Sequence, residues 1–341
     1  MTGDNLLLSI RNLTTRFITY RGVVPAVENV SFDVSKGEVV GVVGETGSGK
    51  SVTVMSVLRL IKPPGKIIDG EVWFKGEDLL KLPESTVRDR IRGCEISMII
   101  QKPTSSLNPV FTIGHQLSDV VRLHYTVARR EAEDRAVESL RIVALPDPPE
   151  VLSKYPHELS GGMQQRVMIA MALACGSSLL IADEPTTALD VSVQLQILKL
   201  IKSVQEETGM SVLLISHDLA VIASICDTVN VMYAGNLVES GSVKTIVDHP
   251  CHPYSQKLIS SVPDFAPRET LATFRGEIPD LLFVPTGCRF HPRCDFAKEV
   301  CRQSPPRLAE IEPGHRVACY LFTDPKQHLK GEANDTGVLQ F

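Results

Sequence analysis

Residues 44–51 read GETGSGKS, and this G-x-x-x-x-G-K-S/T pattern lies between an apolar run, EVVGVVG, and a helix-periodic one, SVTVMSVLRLI. A strand before and a helix after are the context in which the pattern binds phosphate. Glycines let the backbone wrap closely round an anion, so that successive amide N–H groups point at its oxygens. The helix start adds the positive end of its dipole. Gly44, Glu45, Thr46, Gly47, Ser48 and Gly49 are expected to form the cradle, with Lys50 reaching the β- and γ-phosphates and Ser51 ligating Mg2+.

A second apolar strand, LLIADE at 179–184, ends in two carboxylates. Adjacent strand residues point to opposite faces, so the two acids can take different tasks. Asp183 is expected to hold Mg2+ through water, and Glu184 to orient and polarise the attacking water. The alternative is a buried ion pair at a strand end.

Between these lies LSGGMQQR, residues 159–166. Taken together, the three stretches resemble the ATP-binding subunit of an ATP-binding-cassette transporter. The resemblance implies further roles. Gln101 in MIIQKP matches the Q-loop, a Mg2+ and water contact. Ser160, Gly161, Gly162 and Met163 match the signature that closes over ATP bound to a second subunit, with Met163 where Gln is commoner. Asp190 in TALD matches the D-loop, and His217 in LLISHD the switch histidine that senses the γ-phosphate. Phe17 in TTRF stands where an aromatic stacks on adenine, with Tyr20 as the fallback. Glu184, His217 and Lys50 are the catalytic set so implied. The fold implied is an α/β P-loop NTPase cassette: a RecA-like parallel sheet core, an N-terminal antiparallel β subdomain and an α-helical subdomain, followed by a small cysteine-containing extension.

The stretches GKSVT, TSSLNPVFTIGHQL, YPHELSGGMQQRVMIAMAL and HPCHPYSQKLISSVP sharpen the resemblance to the ATPases of dipeptide and oligopeptide importers. Such importers use a second, usually different, ATPase, two integral membrane permeases and an extracytoplasmic substrate-binding protein. The expected location is therefore the cytoplasmic face of the cell membrane. Related importers serve oligosaccharides, glycosides or nickel. Cassette proteins acting in translation or repair are the distant alternative. Lys102 departs from the commoner sequence after the Q-loop glutamine.

Composition agrees with these expectations. The 341-residue chain has a net charge of −5, 5% aromatic residues and no basic run, which argues against a nucleic-acid surface. No apolar run approaches the ~18 residues that span a bilayer, and no secretory leader is legible at the N-terminus. Strands alternating with helices over 165–230 predict parallel βαβ units. Short strands are expected over 6–43 and a helical subdomain over about 105–165. Domain limits are set at 1–240 for the cassette and 241–325 for the extension, with a disordered tail over 326–341.

Of eight cysteines, Cys94, Cys175 and Cys226 are expected to be buried small hydrophobes. Cys251, flanked by His249 and His252, is read as a loop thiol, with metal binding as the alternative. Cys288, Cys294, Cys301 and Cys319 lie close together, without the paired spacing of zinc knuckles. Zn2+, a [4Fe-4S] cluster and unligated thiols all remain open on spacing alone. The resemblance implies the cluster, which some peptide-importer ATPases carry on such a pattern. Arg289, Arg293 and Arg302 are expected to offset its charge, and its task is to staple an extension poor in apolar core.

Overall fold

Wholly apolar strands are buried on both faces, whereas alternating strands leave one face to solvent. Both kinds occur in this computed structural model, which describes residues 5–100, 106–187, 190–262 and 276–323. The strands are β1 (Leu6–Thr19), β2 (Gly22–Ser35), β3 (Val39–Val43), β4 (Gly65–Phe74), β5 (Glu77–Asp78), β6 (Ile96–Ile99), β7 (Leu179–Asp183), β8 (Ser211–Ser216), β9 (Thr228–Tyr233), β10 (Asn236–Ser242), β11 (Ala309–Glu312) and β12 (His315–Val317). The helices used below are α1 (Lys50–Val57), α2 (Ile113–His124), α3 (Arg129–Ile142), α4 (Pro148–Ser153), α5 (Gly161–Leu173), α6 (Val191–Thr208), α7 (Leu219–Ile225), α8 (Val243–Asp248), α9 (Pro253–Ser260) and α10 (Glu299–Gln303). The chain forms two compact units, one of Met1–Ser9, Asp33–Val40 and Trp73–Ser216, the other of Ile10–Phe32, Gly41–Val72 and His217–Phe341.

In the first unit, β6, β7 and β8 run parallel, with Ile96 opposite Leu179 and Leu179 opposite Ser211. Every residue of β7 and β8 is buried, the apolar centres as expected and with them Asp183, Ser211 and Ser216 at the strand ends. Helices α2, α3 and α4 pack on one another. Ile113, Leu117 and Val121 of α2 recur every four residues and are buried, as are Ala132, Ala136 and Leu140 of α3. That spacing makes one apolar stripe per helix. Each large aliphatic side chain buried there contributes roughly 1.5–3 kcal/mol. Thr112 begins α2 by accepting the N–H of His115.

In the second unit, β9 and β10 form an antiparallel ribbon, β12 pairs with β10, and β11 pairs with β12. The hairpin β11–β12 was not legible in a segment that reads as Pro- and Cys-rich. It continues an existing ribbon rather than standing alone, so weak local signals suffice. Strands β1 and β2 span 14 residues each instead of the short pieces expected. Within them Asn12 (φ 49°) and Asn29 (φ 53°) are left-handed. Ser31 Oγ accepts the Asn12 N–H at 2.8 Å, and Thr14 Oγ1 accepts the Asn29 N–H at 3.1 Å. Asparagine tolerates that conformation, so the strands bend without breaking. Cys175 and Cys226 are buried as expected, but Cys94 is only half-buried.

Candidate nucleotide loop and four-cysteine site

Strand β3 is buried throughout and delivers Gly44 to the turn before α1. Any Cβ on Gly44 would collide with the Met232 carbonyl. Gly49 caps α1 at φ 98°, and a Cβ there would meet the Ala26 carbonyl. The loop is held by the Ser48 N–H on the Glu45 carbonyl (3.1 Å) and the Gly235 N–H on the Ser48 carbonyl (2.9 Å). Lys50 is 5% exposed, and its Nζ donates to the carbonyls of Gly44 (2.7 Å) and Glu45 (3.1 Å), so the ammonium lies across the loop. The Ser48 hydroxyl is buried with no protein partner. Such an orphan needs an explanation. A phosphate-binding loop supplies one, and the donor set of backbone amides, ammonium and hydroxyls fits a nucleotide triphosphate with Mg2+. Ser51 is exposed at the second position of α1. Phe17 is half-buried with its ring against Gly65, while Tyr20 stands fully in solvent.

In the first unit, Asp183 ends β7 and is buried. Glu184 follows in the left-handed region at φ 48°. Its N–H donates to the Ile215 carbonyl at 2.9 Å, and its Oε2 accepts from Thr187 Oγ1 at 2.9 Å. A non-glycine residue in that conformation is held there by its surroundings, a pattern common at functional sites. Ser160 caps α5, accepting the Met163 N–H at 3.3 Å, so Gly161 and Gly162 open a 13-residue helix. Asp190 caps α6, and the Val193 N–H and Ser192 hydroxyl hold its carboxyl below the usual carboxylate range. Gln101 and Lys102 lie outside the described residues. In the second unit, His217 is exposed immediately after β8 ends.

Reading by sequence missed what grips Glu45. The Tyr254 hydroxyl accepts the Glu45 N–H at 2.9 Å. Arg293 Nη1 donates to Glu45 Oε2 and Oε1, at 3.1 and 3.3 Å, and to the Tyr233 hydroxyl at 3.4 Å. Burial works against the charge of Arg293, but its bonds to Tyr233 and Glu45 more than offset this and hold its pKa above the usual arginine value. Tyr233, Tyr254 and Phe290 pack together in tilted and edge-on contacts, with centroids 4.7–5.5 Å apart. Upstream of Tyr254, fully buried Glu239 accepts the N–H groups of Cys251 (2.7 Å) and His252 (2.9 Å), and lies 2.8 Å from His315 Nε2. Cys251 therefore groups with Glu239 and His315 rather than with His249. The carboxylate is already engaged in anchoring the turn before α9.

Cys288, Cys294, Cys301 and Cys319 line one cavity together with Phe290, Phe296 and Tyr320. All eight cysteines, each among the described residues, are thiols rather than disulfides. Backbone N–H groups of Phe290, Phe296 and Leu321 donate to the sulfurs of Cys288, Cys294 and Cys319, and that of Lys298 donates to Cys301 Sγ at 3.5 Å. Burial pushes the Cys288 thiol up to about 12 and that of Cys319 to about 11, and it raises that of Cys294. Four sulfurs that each receive an N–H suit anionic thiolates bound to metal, whose charge would overcome the desolvation. Tetrahedral zinc at about 2.3 Å from each sulfur needs thiolates about 3.8 Å apart. Among the described residues, the one trio of His, Cys, Asp or Glu with ligand atoms all within 4.8 Å of one another is Glu239, Cys251 and His315. By that measure no three of the four sulfurs group within 4.8 Å. Arg289 and Arg293 do not surround this site as expected. Arg289 bonds the Pro25 and Ala234 carbonyls, and Arg293 turns to Glu45, because each is drawn to a nearer acceptor.

Among the described residues no helix is long and apolar enough to cross a membrane. The ABC transporter family matches residues 27–187, and the oligopeptide/dipeptide transporter C-terminal region matches residues 238–301. The "Probable peptide ABC transporter ATP-binding protein y4tR" of Sinorhizobium fredii is 49% identical over 93% of this chain and 95% of its own length. The dipeptide transport ATP-binding protein DppD of Bacillus subtilis is 46% identical over 96% and 99%. Among solved structures, a dimeric post-hydrolysis state of the ATP-binding cassette MJ0796 bound to ADP and Pi matches with a TM-score of 0.62. It is 28% identical, and the match covers 70% of this chain and 99% of that one. The chain belongs to the family of ABC transporter ATP-binding proteins that carry the oligopeptide/dipeptide transporter C-terminal region.

Proposed function

We propose that this chain is the ATP-hydrolysing subunit of an importer that takes up dipeptides or oligopeptides across the cytoplasmic membrane. The observation that carries the reading is the loop 44–51, with its buried Lys50, its orphan Ser48 hydroxyl, and Gly44 and Gly49 at positions that admit no side chain. The peptide assignment draws on the names of the relatives in Sinorhizobium fredii and Bacillus subtilis.

Mechanism follows from position and charge rather than covalent chemistry. Backbone amides of the loop 44–51, apart from those of Glu45 and Ser48 that bond within the protein, bind the phosphates together with the Lys50 ammonium. Mg2+, when bound, neutralises charge on the phosphate oxygens. Ser51, Asp183 and Gln101 would hold it. Glu184 orients and polarises water for attack on the γ-phosphorus, and its left-handed backbone fixes where the carboxylate stands. His217 contacts the γ-phosphate. Ser160, Gly161, Gly162 and Met163 present a helix N-terminus to ATP held by a second subunit, and Asp190 shapes the turn at that interface. Phe17 stacks on adenine.

In this reading the cassette spans 1–240 and the extension 241–325. The partners are a second ATPase, two permeases and an extracytoplasmic binding protein, and the chain sits peripherally on the cytoplasmic face. The four cysteines hold a [4Fe-4S] cluster, supported by their shared cavity and the N–H groups on their sulfurs. Affinity purification from membranes should recover two integral membrane proteins, and hydrolysis by that complex should rise with peptide-loaded binding protein. Recovery of ribosomes instead, or stimulation by a sugar or nickel chelate alone, would overturn the assignment. Anaerobically purified protein should contain iron and acid-labile sulfide in equal amounts. Stoichiometric zinc would replace the cluster reading.

A further inference from the structure

A carboxylate at the second position of a phosphate-binding loop has the same sign as the ligand. Glu45 holds that position, and its charge is met by Arg293, which is 8% exposed and 248 residues away in the chain. Beside it the Tyr254 hydroxyl takes the Glu45 N–H, so both side chain and backbone of this loop residue are held from the extension. Tyr254 is in turn fixed by Glu239, through the N–H groups of Cys251 and His252, and by edge-on packing against Phe290. Arg293 immediately precedes Cys294, so the segment that folds around the four thiols also delivers the guanidinium.

We propose that Arg293 and Tyr254 are positioning residues for nucleotide binding: Arg293 cancels the Glu45 charge, Tyr254 pins its backbone, and the extension thereby sets the affinity of the phosphate loop. The inference rests on reading 44–51 as the nucleotide loop. It gives the extension a task at the ATP site beyond stapling itself together. By linkage, nucleotide binding favours the folded extension to the same degree that the extension favours nucleotide.

The test is Mg·ADP and Mg·ATP titration calorimetry on full-length protein, with iron content and melting temperature measured in each variant. Arg293→Met should weaken binding about tenfold, the scale of a lost charge-assisted contact. The loss should shrink at high salt, which screens the uncompensated carboxylate. Adding Glu45→Gln to Arg293→Met should restore most of the affinity, because no charge is then left unpaired. Tyr254→Phe should weaken binding about threefold. If Arg293→Met does not fold, Arg293→Lys is read instead: it keeps the charge and should bind within about threefold of the parent. Binding by Arg293→Met within twofold of the parent overturns the proposal, as does a double variant no tighter than Arg293→Met. Failure of the parent protein itself to bind Mg·ADP is a different result. It would sink the nucleotide reading of the loop.

Discussion

The backbone N–H of Glu184 donates to the Ile215 carbonyl at 2.9 Å, tying the acid at the end of β7 to the neighbouring strand β8 while its φ stands at 48°. Left-handed backbone costs a non-glycine residue about 1 kcal/mol. The Thr187 hydroxyl on its carboxylate returns about 1 kcal/mol. Glu184→Gly removes both and should melt within about 3 °C of the parent, yet lose hydrolysis. A large fall in melting temperature would mean that the acid serves stability instead.

Gly49→Ala tests the cradle. At φ 98°, with the Ala26 carbonyl in the way, a methyl group has no room without moving backbone. The variant should lose roughly 2–4 kcal/mol of stability and bind Mg·ADP at least tenfold more weakly. Denaturant unfolding and calorimetry check the two effects separately. Unchanged stability would mean that the loop is laxer than described.

The functional residues differ in how far they could be read beforehand. The cradle and LLIADE are contiguous, so the residues that do the chemistry are neighbours in sequence and their spacing reports geometry. The Arg293–Glu45 pair joins residues 248 positions apart, and nothing local to CRFHPRC points toward a glycine-rich loop. The bends in strands β1 and β2 were hidden for another reason. Asn12 and Asn29 look like turn residues, and only pairing with Ser31 and Thr14 shows that they bend a continuing strand. The four cysteines were legible as a group, but the N–H on each sulfur comes from backbone folding that spacing does not encode.

Acid should weaken the anchor of α9. Burial pushes His252 down to about 3, and its Nδ1 accepts the Tyr254 N–H at 3.0 Å, which requires the neutral ring. The unfolded chain takes up this proton near pH 6.5 and the folded chain does not, so stability is complete above about 6.5 and is lost as pH falls toward about 3. Full loss amounts to roughly 3–5 kcal/mol. Urea midpoints measured between pH 7.5 and 4.5 should fall, and His252→Gln should flatten the slope. An equal slope in that variant would assign the effect to other groups.

Thiol titration runs the other way. With pKa values raised to about 12 and about 11, Cys288 and Cys319 are protonated at neutral pH in metal-free protein. A raised folded pKa contributes stability that is present below about 9 and is lost as pH climbs toward 12. Metal loading must displace these protons. Chelator-stripped, reduced protein should therefore release protons on anaerobic reconstitution with iron and sulfide, and it should load less completely at pH 6 than at pH 8. Loading independent of pH would remove the thiols from the site. Cys294→Ser should lower bound iron and the melting temperature together.

The central claim is that Glu184 activates water for hydrolysis of ATP held by residues 44–51. Glu184→Gln keeps the side chain's size and removes its charge. Single-turnover hydrolysis, measured beside Mg·ATP binding in the same purified variant, tests the claim most directly. The account predicts retained binding and a rate lower by about 10²–10⁴-fold, the contribution of a positioned general base. Undiminished hydrolysis by Glu184→Gln would contradict it.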